Sequence, residues 1–186
     1  MMAASLEGGF ADTPIDAAHA FRAIMTALAR PGQIERVVGA RPPAPLSAAA
    51  GAVLLTLCGP ETPVFLAPSH DNQAVRGWIG FYTGAPISEP VLAEFAVGEW
   101  ADLPLERFRA GTPDYPDRSA TLIVEMEALA AEGVVLTGPG IESEARLSLP
   151  DRAAFQANAA NYPLGLDFFF TCGDRIAGLP RSTRVA

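Results

Sequence analysis

Helix-period and strand-like segments interleave along nearly the whole chain, and that alternation leaves few architectures open. Strands separated by helices build a sheet whose connections cross its faces. The clearest helix starts at Thr13, whose hydroxyl can cap it, with Pro14 at the first helical position and Asp16 near the positive end of the dipole. Phe21, Ile24, Met25 and Leu28 then recur at helical spacing as one apolar face, and Arg30-Pro31-Gly32 ends the run. Further on, Ile34–Val38 has a short strand pattern and Leu46–Leu57 that of a buried, alanine-rich helix. Pro63–Leu66 and Trp78–Tyr82 carry strand composition, with a helical turn over Asn72–Gly77 between them. Glu94–Val97 is a short strand, Pro104–Arg109 a short helix and Ala120–Met126 a strong strand. Val134–Thr137 and Ala145–Leu149 flank the turn Gly138-Pro139-Gly140 as a hairpin, and a helix over Pro150–Asn161 and a strand over Leu166–Cys172 follow. Adjacent strands late in the chain call for antiparallel pairs. The expected fold class is therefore α/β, a mixed sheet flanked by helices on both faces in three layers, over a pure doubly wound parallel sheet.

The loop-like stretches Gly39–Pro45 and Gly111–Asp117 are too short to separate domains, so one domain over 1–186 is expected, with its core at about 9–185. Met1–Phe10 has neither a basic region nor an apolar run. The longest apolar stretches, Ala48–Leu57 and Leu164–Phe170, fall short of the roughly 20 residues of a membrane span. These features lead to the expectation of a cytoplasmic protein with no membrane partner. The formal net charge of −8 repels polyanions, and the two arginines of Arg181–Arg184 make no basic patch, so no nucleic-acid partner is expected.

All 13 basic residues are arginine, and lysine is absent. Schiff-base chemistry, including an aldimine to pyridoxal phosphate, needs a lysine amine, and so does a P-loop. Cys58 and Cys172 stand apart in apolar surroundings, with neither zinc-site nor cluster spacing, and suit small core residues.

Among possible sites, Gly138-Pro139-Gly140 invites comparison with a phosphate loop, but Pro139 lacks a donor and a strand follows, which favours a structural turn. His19 and His70 have no partner at ligand spacing, although His70 beside Asp71 retains a proton-transfer role as an option. Ser69-His70-Asp71 is contiguous and cannot align as a hydrolytic triad. Arg181, with Ser182 and Thr183, can hold a carboxylate or phosphate, or anchor the tail. Asp167, next to three phenylalanines, is either a catalytic acid or a buried partner for an arginine, with Arg22 and Arg181 as candidates. Arg22, Asp167, Arg181 and Thr183 are thus candidate anion or structural anchors, and no residue is assigned to catalysis, a cofactor or a metal. A stand-alone transferase or hydrolase would need Asp167, His70 and Arg181 in one cleft; an anion- or nucleotide-binding module would need an arginine clamp.

Several segments together resemble the PhnH family of carbon–phosphorus lyase subunits. They are Gly9-Phe10, Phe21–Met25 with Arg30–Gly32, Leu54–Leu57 running into Glu61–Val64, Phe81–Pro86 and Glu94–Ala96. Ser119–Leu122, Leu136–Ile141, Tyr162–Asp167 and Leu179–Thr183 continue the pattern, so that the resemblance covers about Gly9 to Val185. It implies a shortened relative of the pyridoxal-phosphate-dependent transferase fold without the cofactor site. It also implies a homodimer joined to the core subunits of the G, I and J types. That system attaches a phosphonate to the ribose of a nucleoside triphosphate and then breaks the carbon–phosphorus bond by radical chemistry. The radical step needs grouped thiolates, so the family reading is of an accessory subunit.

Overall fold

The computed structural model describes residues 7–186. Met1–Leu6, part of the stretch inspected for a leader and of the expected 1–186 domain, lie outside the described residues. The first helix, α1 (Thr13–Ala29), is capped by Asp12 rather than Thr13. Pro14 has no N–H to offer, so the Asp12 carboxylate accepts from Ile15 instead, while Asp16 Oδ2 accepts from the Asp12 N–H at 3.0 Å. A two-residue strand β1 (Glu35–Arg36) leads to α2 (Ala48–Leu57), capped by Ser47 Oγ accepting from Ala50 at 3.1 Å. After β2 (Val64–Leu66) comes α3 (Gln73–Thr83), which replaces the strand expected over Trp78–Tyr82. Asn72 caps this helix, Val75, Trp78 and Ile79 fall on its buried face at i, i+3 and i+4, and Gly84 ends it in the left-handed region. The aromatic composition there satisfied strand preference locally, but the helical period decided the outcome.

Next follow β3 (Phe95–Glu99), a 3₁₀ turn at Leu105–Arg107 in place of the expected helix, and β4 (Thr121–Glu125). The hairpin β5 (Val134–Thr137) and β6 (Ala145–Leu147), then α4 (Arg152–Ala160) and β7 (Asp167–Cys172), lie where the sequence places them. Two strands escaped the sequence reading, β8 (Arg175–Leu179) and β9 (Arg184–Val185). Gly173, at φ +61°, opens the two-residue turn between β7 and β8.

The main sheet has six strands in the order β1-β8-β7-β4-β3-β2. The strands β2, β3, β4 and β7 are parallel, whereas β8 is antiparallel to β7 and β1 to β8, so the sheet is mixed and the purely parallel alternative is excluded. Alternate residues of each strand enter two separate cores. Leu66, Val97, Ile123, Phe169 and Ile176 pack with α1, α2 and α3 on one face. Leu122, Val124, Phe168, Phe170 and Leu179 pack on the other against Phe155 of α4 and against Leu136 and Leu147. That second layer is a helix plus the antiparallel sheet β6-β5-β9, not helices alone. Phe155 stands edge-on to Phe168 at 5.0 Å and to Phe170 at 5.5 Å, which fixes α4 against the sheet. No helix among the described residues is long and apolar enough to cross a membrane.

α1 departs from its expected orientation. Ala20, Ile24 and Ala27 face the core, whereas Phe21 and Met25 are 50% and 52% exposed. The cause lies in β8: a Cβ on Gly178 would sit 2.6 Å from the Ala27 carbonyl oxygen and 2.8 Å from the Leu28 Cα. Backbones this close leave no room for a large side chain at Ala27, and Phe21 and Met25 turn outward. Gly178→Ala is accordingly expected to destabilise the fold by about 1–3 kcal/mol through overpacking. An unchanged urea midpoint would contradict the close approach.

Candidate functional site

Because β2, β3, β4 and β7 run in one direction, their carboxyl ends share one edge of the sheet, where open α/β sheets bind ligands. A cleft of about 480 Å³ lies there, lined among others by Ser47, His70, Glu99, Trp100, Glu125 and Glu127. His70 follows β2 and is fully buried. Its Nδ1 lies 3.0 Å from Ser69 Oγ, which also accepts the Glu99 N–H at 3.2 Å. Its Nε2 has no hydrogen-bond partner and stands 3.9 Å from Glu125 Oε1, beyond hydrogen-bond range.

Glu125 ends β4. Its Oε1 accepts the Ser47 N–H at 2.7 Å, and its Oε2 accepts the Thr171 hydroxyl at 2.8 Å. Burial pushes the Glu125 carboxyl above its ordinary value, and these hydrogen bonds only partly oppose that. Burial also lowers His70, against the pull of Glu99 and Asp102. Both shifts favour the neutral forms, so the two groups can lie in the same cleft without burying a net charge. No arginine lines the cleft, and Glu125 already fills the amino-terminal end of α2, where an anion would otherwise sit. The site suits proton donors or cations and repels phosphate-like ligands.

Asp167 and Arg181 meet at the opposite edge, where β7 begins. Arg181 donates from its backbone N–H to Asp167 Oδ1 at 2.8 Å, from Nε to Oδ1 at 3.2 Å and from Nη2 to Oδ2 at 2.6 Å, and from Nη1 to the Pro116 carbonyl. The side chains are 14% and 20% exposed. This two-pronged pair occupies the guanidinium, so Arg181 has none to spare for an anion. Arg22 lies exposed on α1, away from the pair. Thr183 is 2% exposed, and its hydroxyl has no partner. His70 therefore does not share a cleft with Asp167 and Arg181, which removes the stand-alone enzyme built on those three. His19 is an exposed residue of α1. Burial and the nearby Glu94 push the Cys58 thiol up to about 12, so it stays protonated. The turn Gly138-Pro139-Gly140 is closed by Ile141 N–H donating to the Gly138 carbonyl at 3.1 Å, and it packs on α1, where a Cβ on Gly140 would collide with the Ala29 carbonyl.

The sequence reading did not single out Glu125 or Ser47. The one available signal was a carboxylate closing an apolar strand, Thr121–Glu125, at the ligand-binding edge of an α/β sheet.

Two outcomes are expected. Asp167→Ala strands a largely buried guanidinium and should cost about 3 kcal/mol by urea denaturation, and a loss within error would show the pair to be inert. For Glu125, a folded-state value raised above the ordinary 4.5 means that its contribution is fully present below that pH and fades as pH rises through the raised value. The wild type should therefore lose stability relative to Glu125→Gln as pH rises from 4.5, and parallel pH profiles would contradict this.

Comparison with known proteins adds a relationship over the whole described fold. The profile of the family described as bacterial phosphonate metabolism protein (PhnH) matches residues 8–186. A relative from Rhizobium meliloti (strain 1021), named alpha-D-ribose 1-methylphosphonate 5-triphosphate synthase subunit PhnH, is 42% identical over 190 aligned residues, spanning 96% of this chain and 94% of its own length. HtxG of Stutzerimonas stutzeri, whose given name provisionally places it among C–P lyase subunits, is 28% identical over 96% of this chain and 95% of its own. Carried by matches that run from end to end of the fold, the chain belongs to the PhnH family of bacterial phosphonate metabolism proteins.

Proposed function

We propose that this protein is an accessory subunit of a carbon–phosphorus lyase assembly, which supports the step joining a phosphonate to the ribose of a nucleoside triphosphate and supplies no catalytic group to it. The observation that carries this reading is the 42% identity to a named synthase subunit over 94% of that relative's length. The chemistry of the chain fits an accessory role. It contains no lysine for an aldimine. One of its two cysteines is a buried, protonated thiol, so cluster-dependent radical chemistry belongs to another subunit.

The finer parts of the reading follow from the same resemblance. The chain folds as one unit over about 9–185, keeps the outline of a pyridoxal-phosphate-dependent transferase without the cofactor site, and works in the cytoplasm. It forms a homodimer and joins subunits of the G, I and J types. Phe108 and Trp100, considered as interface anchors, are poor ones: Phe108 is buried 5.6 Å from Phe65, and Trp100 packs on Phe155 at 4.8 Å. The outward side chains of α1, Ile15, Phe21 and Met25, are the better candidates, since they expose apolar surface on a helix whose other face is fully used.

Co-expression with G, I and J type subunits and affinity capture of this chain tests the proposal. Recovery of the partner subunits is expected, with a Phe21→Glu/Met25→Glu variant that keeps its helical signal but recovers fewer of them. Capture of this chain alone, in a preparation that contains all the subunits, would contradict membership of the assembly.

A further inference from the structure

We propose that the cavity between the Gly138–Gly140 turn and the carboxy-terminal strand is an oxyanion site, which takes a phosphate-class group on Arg184, Ser182 and Thr183. Two sequence features, considered separately as anion-binding elements, converge there. The cavity, of about 400 Å³, is lined by Gly138, Pro139, Tyr162, Ser182, Thr183 and Arg184, with Ala159 behind them. The contact is close: a Cβ on Gly138 would lie 3.2 Å from the Ser182 carbonyl oxygen and 3.7 Å from the Arg184 nitrogen. Only a glycine lets the turn approach the tail so nearly, and Gly138 holds φ +132°.

Three observations give the cavity its chemistry. Thr183 is buried, and its hydroxyl has no hydrogen-bond partner. Leaving a buried hydroxyl unpaired is costly, and a bound acceptor would relieve it. Arg184 pairs through its backbone with Thr137, but its guanidinium has no partner among the described residues, unlike that of Arg181. No carboxylate lines the cavity, so Arg184 is the charged side chain among its lining residues. Ser182 and the exposed Tyr162 add hydroxyls. A planar carboxylate can satisfy a guanidinium fork with its two oxygens and leave the hydroxyls unmatched. A tetrahedral dianion offers further oxygens to them and carries the larger charge. The cation of the site is thus Arg184, because Asp167 has claimed Arg181.

The test uses the full-length protein and inorganic phosphate, with chloride and acetate at matched ionic strength as controls. Thermal unfolding followed by circular dichroism should show a midpoint that rises with phosphate and saturates. Arg184→Gln should weaken the apparent affinity about tenfold or more. Thr183→Val keeps the side-chain shape, should be no less stable than the wild type without phosphate, and should lose most of the phosphate response. A midpoint indifferent to phosphate, an equal rise with acetate, or an undiminished response in both variants would overturn the site.

Discussion

The pair of Asp167 and Arg181 is the contact on which the second half of the fold depends. Asp167 opens β7, the strand with the most aromatic side chains, and Arg181 begins the tail after β8. By binding the backbone N–H as well as the guanidinium of Arg181, the carboxylate sets both the position and the direction of the chain that follows. The tail then runs to β9, which pairs with β5 and completes the small sheet. That sheet supplies Leu136 and Leu147 to the core beneath β4 and β7. One partly buried ion pair thus connects the mixed main sheet to its covering layer.

Arginine is the only permanently charged basic side chain in this chain, and many of its copies are paired. Arg36 pairs with Asp174, Arg76 with Asp71, Arg107 with Glu89 and Arg146 with Glu144, all near the surface, where such pairs contribute little to stability. Their effect is to cancel positive charge locally. The carboxyl edge of the sheet is left acidic around His70 and Glu125, and the carboxy-terminal strand keeps an uncommitted guanidinium at Arg184.

Much of this architecture was legible in the residues, and the failures share a cause. α2 and α4 were visible as helical runs, α2 from its alanine-rich composition, although the expected spans Leu46–Leu57 and Pro150–Asn161 take in the caps Ser47 and Asp151. β4 and β7 were visible because continuous apolar runs mark strands buried on both faces. The Trp78–Tyr82 segment was misassigned because aromatic composition outweighed a helical period that only becomes plain once Val75 is included. The outward turn of Phe21 and Met25 could not be read from α1 at all, since Gly178, more than a hundred residues later, decides which face fits. The same holds for the sites. Asp167 beside three phenylalanines and Arg181 beside two hydroxyls were legible as possible partners, whereas the approach of His70 to Glu125, and of Gly138 to Arg184, exists only after strand order is fixed.

This chain is proposed to act through assembly, as a member of the PhnH family whose own side chains carry out no step of phosphonate transfer. Reconstitution tests it most directly: synthesis of ribose 1-methylphosphonate 5-triphosphate from methylphosphonate and a nucleoside triphosphate, followed by phosphorus NMR. No product is expected from this chain alone, product from the full set of subunits, and a marked loss when this chain is left out. Turnover by the isolated chain, or an unchanged rate without it, would contradict the account.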